Sequence, residues 1–180
     1  MISKPEWQRV AVLNTGETTD RFWHAGLSSN GHLCFAAAVD DEGYVVFDVL
    51  TRSVVWIEEA TPSSGGYPDL AEWVRDGQIQ IRSGPAEGRY RVFGLYQNYP
   101  RTHNLTFGIT VELDRSTAEV VLTHAGTSEQ LQRLGYEAFS GDWAFASFSD
   151  DDTILAVLEP YSITVFGLAP TTMPNSPHAP

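Results

Sequence analysis

The chain is short of the residues that most chemistry and most membranes require. Cysteine occurs once, as Cys34. A lone thiol excludes an intramolecular disulfide and any metal centre built from several cysteines. It lies in the apolar run His32-Leu33-Cys34-Phe35-Ala36, where a thiol reads as buried and inert. Lysine also occurs once, as Lys4, so arginine supplies the rest of the eleven basic residues. That skew is common where a GC-rich genome biases codons. No stretch approaches the roughly 18 consecutive apolar residues of a membrane-spanning helix. The start, Met1-Ile2-Ser3-Lys4-Pro5-Glu6, lacks the apolar core of a secretory signal. These absences give the expectation of a cytoplasmic protein with no membrane partner.

Catalytic signatures are missing too. There is no G-x-S-x-G frame, Ser63-Ser64-Gly65-Gly66 included, so no nucleophile elbow is expected. Walker-type and G-x-G-x-x-G phosphate loops are absent, as is an H-x-x-x-H pair. His24 and His32 stand eight apart and could meet Asp40 or Asp41 at a metal, but such loose spacing arises by chance. Asp150-Asp151-Asp152 lacks the glycine and terminal glutamate of a calcium loop and reads as a solvated turn. Neither a metal nor another cofactor is expected.

Acid is plentiful. Twenty-three acidic residues outnumber eleven basic ones, for a formal charge of −12. Such a surface repels nucleic acid and steers a basic protein partner inward. Aromatics, at 12%, are too many for a disordered chain. At 180 residues the chain suits one domain of ordinary size.

Strand signals dominate. They cover 7–13, 32–39, 44–49, 53–58, 78–82, 90–96, 105–113, 117–123, 142–148, 153–158 and 161–167. Each is rich in β-branched or aromatic residues and bounded by turn formers. Two short helices are expected. Asp69 and Glu72, at capping-box spacing, open the first, which Gly77 ends. Thr127 and Gln130 open the second, over 128–134, and Gly135 stops it. The fold class is mainly β: about ten mostly antiparallel strands in a sandwich, barrel or propeller-like sheet stack, with two short helices. Residues 1–168 form the domain, and the proline-rich 169–180 reads as a disordered tail. Asp48 to Val55 and Asp114 to Val121 share the pattern D-x-x-T-x-x-V-V, read as two similar hairpin turns. The first copy, with Gly43 to Phe47 ahead of it, also resembles the outer hairpin of a WD-type propeller blade, although the 66-residue offset does not suit such repeats.

Segment 96–103 carries Tyr96, Gln97, Asn98, Tyr99 and Arg101 without an acidic residue. Tyrosine and arginine are enriched at binding hot spots because each joins contact area to a polar handle. Tyr67, Trp23 and His24 are candidate neighbouring anchors.

In its length, acidity, lone Lys4 and the amides Gln97 and Asn98, the chain resembles immunity proteins of bacterial polymorphic-toxin systems. Within them it is similar to the actinobacterial factors that block secreted NAD-hydrolysing necrotising toxins. The resemblance implies a non-enzymatic binding protein that occludes a toxin's active site, with Lys4, Tyr96, Gln97, Asn98, Tyr99 and Arg101 at the contact. Two alternatives stay open. One is a small hydrolase or lyase with a His/carboxylate site in a sheet cleft, using His24, His32, His103 or His124. The other is a WD-like interaction scaffold.

Overall fold

The computed structural model describes residues 5–14, 22–29, 31–38, 43–59, 71–74, 77–95 and 100–169. Fifteen strands form three antiparallel sheets among them. The middle sheet has the order β1-β15-β14-β13, from Trp7–Leu13, Ser162–Leu168, Ile154–Glu159 and Phe145–Phe148. The large sheet has seven strands. They are β2 (Phe22–Ser28), β3 (Leu33–Ala38), β4 (Gly43–Asp48), β5 (Ser53–Glu59), β6 (Ala71–Val74), β7 (Gln78–Ile81) and β8 (Gly88–Gly94), in the order β5-β4-β3-β2-β8-β7-β6. The third sheet has the order β12-β11-β10-β9, from Gln130–Gly135, Glu119–His124, Ile109–Asp114 and His103–Asn104.

The middle sheet is buried on both faces, and its residues alternate between two cores. Ala156, Leu158, Ile163 and Val165 join Phe22, Leu27, Phe47 and Phe93 in a core shared with the large sheet. Leu155, Val157 and Phe166 join Ile109, Val111, Val120 and Leu122 in a core shared with the third sheet. This is the period-two alternation of a strand, made visible by having a partner on each side. The sheets therefore stack with the middle one between the others.

Strand β1 serves both cores. Trp7 packs with Phe148 in the core toward the third sheet, their rings 5.6 Å apart. Ala11 and Leu13 face the large sheet. All three positions are odd, so a regular strand would put them on one face. The register slips between Arg9 and Ala11, and that bulge inserts the extra residue that reverses the face.

The gap between β1 and the third sheet is closed by a side chain. The Gln132 amide accepts from Trp7 N–H at 3.0 Å and donates to Trp7 C=O at 2.7 Å. It thereby fills the hydrogen-bonding positions that a neighbouring strand would use on that edge.

Both expected helices are strands. Ser128 sits at φ 56°, a left-handed conformation that the first turn of a helix excludes. Thr127 Oγ1 accepts from Glu129 N–H, two residues on, in a local turn. Residues 130–135 then pair with β11. Residues 71–74 pair with β7, from Ala71↔Ile81 to Val74↔Gln78, so Gly77, at φ 68°, belongs to the connection of a hairpin and not to a helix end. Among the described residues no helix is long and apolar enough to cross a membrane. Of the expected tail only Ala169 is described, its N–H donating to Glu6 C=O; 170–180 lie outside the described residues.

The D-x-x-T echo is a pair of like turns. Asp48 accepts from Leu50 and Thr51 N–H, and Asp114 from the Ser116 N–H and hydroxyl. Arg52 and Ala118, four residues after each aspartate, both adopt positive φ, 57° and 53°. One turn joins the third and fourth strands of a four-strand run and the other the second and third, so the copies are not equivalent repeat positions.

Candidate functional site

The three consecutive aspartates join all three sheets. Asp150 pairs with Arg91 of β8 at 2.6 Å. Asp151 accepts from Ser149 Oγ and from both the N–H and the hydroxyl of Thr153, shaping the β13–β14 turn. Asp152 is buried at 3% exposure and adopts φ 64°. Its carboxylate lies 2.7 Å from the Arg101 guanidinium and accepts from the Thr106 N–H and hydroxyl. Asn104 Nδ2 donates to Asp152 C=O. The turn is therefore a structural joint, and only Asp150 and Asp151 are exposed as the sequence reading expected.

Arg101, expected at a partner contact, is tied into this joint. Its N–H donates to Ser147 Oγ at 3.0 Å, its C=O accepts from Phe148 N–H at 2.9 Å, and its guanidinium also donates to Ser149 C=O. On the other side of segment 96–99, Leu95 N–H donates to Trp23 C=O. Lys4, Tyr96, Gln97, Asn98 and Tyr99, with Tyr67, lie outside the described residues.

The residues that could carry chemistry are scattered. His24 is buried on β2, and burial lowers its pKa to about 4, because desolvation disfavours the charged imidazolium. His32 is exposed in the β2–β3 turn, and Asp40 and Asp41 lie outside the described residues. His103 Nδ1 pairs with Thr102 Oγ1, and His124 Nδ1 accepts from Gly126 N–H. Cys34 is fully buried, which pushes its thiol pKa up to about 12. Among the described residues no group of three or more His, Cys, Asp or Glu could hold a metal ion.

A different constellation is assembled by the fold. Arg115, from the β10–β11 turn, and Tyr136, Gly141, Trp143 and Ala144, from the connection between β12 and β13, border a depression with Glu159 at the end of β14. The space it encloses is about 10 Å³, room for about one water molecule, so it is a shallow surface notch. Glu159 is 2% exposed. Its two carboxylate oxygens accept from Phe139 N–H at 3.1 Å and Tyr161 N–H at 2.8 Å, pinning the connection to the sheet end. Phe139 itself is 65% exposed. Arginine, tyrosine and tryptophan here converge, the residue types that dominate binding hot spots. The aromatics among the Gly and Ser of 136–143 were the available sequence signal. Arg115 and Glu159 join them only through tertiary packing.

No protein-family model and no curated protein sequence matches the chain. Among solved structures it is similar to the β-propeller domain of Cps50 (Swd1) from Myceliophteria thermophila. The identity is 12% over 81% of this chain and 50% of that one, with a TM-score of 0.32.

Proposed function

We propose that the chain is a non-enzymatic binding module that engages another protein. The observation that carries this reading is the notch of Arg115, Tyr136 and Trp143 beside the exposed Phe139. It concentrates hot-spot side chains on a backbone that Glu159 already fixes, so little ordering entropy is lost on binding. The former candidates for chemistry support the same view: Cys34 is buried, His24 is held neutral, and the aspartate triplet is spent on joining sheets.

Toxin neutralisation is the specific form of this proposal. The charge of −12 suits a basic partner and speeds encounter with it. Lys4, Tyr96, Gln97, Asn98 and Tyr99 are the proposed second contact. In this proposal the three sheets are successive elements of a propeller-like stack, with the first strand completing the sheet of the last three.

Co-expression with the protein encoded beside it in its own genome tests the role. The expected result is a one-to-one complex and restored growth of cells poisoned by that protein. Turnover of a substrate by the purified chain, lost on replacing His24 or His103, would instead establish the hydrolase or lyase reading.

A further inference from the structure

We draw no further inference here: the strongest candidate, the exposed leucines that the β4–β5 and β9–β10 turns hold outward, Leu50 and Leu105, carries nothing because nothing in the structure shows what covers them.

Discussion

The Arg101 guanidinium lies 2.7 Å from the Asp152 carboxylate, joining the segment that leads into β9 to the β13–β14 turn of the next sheet. Asp152 is almost wholly buried and also holds Thr106. Removing one partner of a buried pair leaves an uncompensated charge. Asp152→Ala is therefore expected to cost about 3 kcal/mol or more. Asp150→Ala, which removes a more exposed pair with Arg91, should cost less than about 1 kcal/mol. Urea unfolding of both variants checks the contrast; equal losses would mean that Asp152 is no joint.

Gly94 and Gly84 separate crowding from backbone strain. Both have positive φ, 145° and 91°. A Cβ on Gly94 would stand 2.3 Å from Trp23 C=O, whereas one on Gly84 meets nothing within 4 Å. Gly84→Ala should cost about 1–2 kcal/mol, the left-handed penalty alone. Gly94→Ala must also displace backbone and should cost about 3 kcal/mol or more. Thermal melts of the two variants measure the difference.

His24 gives the fold a pH window of its own. In the folded chain its pKa is lowered to about 4 by burial, from the ordinary imidazole value of 6.5. Between those values the unfolded state binds the proton and the folded state does not, so stability falls as pH drops from about 6.5 toward 4. The loss reaches at most about 3 kcal/mol. Carboxylates such as Asp114, held near about 2 by Ser116 and Arg133, lose their contribution below that window. Urea midpoints from pH 7 to 4 should slope downward in the native chain and flatten in His24→Gln; an unchanged slope would assign the effect to other groups.

Cys34 should be silent toward a thiol reagent. Burial raises its pKa to about 12, leaving almost no reactive thiolate at neutral pH. Dithionitrobenzoate should titrate no thiol in the native chain and one after denaturation. Fast native labelling would contradict the buried placement.

The pattern of what was legible in the sequence follows from which residues see one environment. Trp7–Leu13 was readable as a strand to the residue, but its change of face depends on a bulge set by pairing with β15. Phe22–Ser28 was missed because it is buried along nearly its whole length, which erases the alternation that marks a half-buried strand. The edge strand β12 imitates a helix: Leu131 and Leu134 stand three apart, and a Thr-x-x-Gln spacing precedes them. Pairing with β11 decides that case, as pairing with β7 does for 71–74. The functional residues behave alike. Arg101 looked like a free loop cation because Asp152 is 51 positions away in sequence. Arg115 and Glu159 carry no local motif that would join them to Trp143.

The most direct test of the binding account is quantitative co-purification from the source cells at two salt concentrations, using the native chain, Trp143→Ala and a folded surface control, Arg89→Ala. The account predicts one basic protein retained in one-to-one ratio by the native chain and the control, less at high salt, and lost from Trp143→Ala. Retention of that protein equally by all three, or of no protein by the native chain, would contradict it.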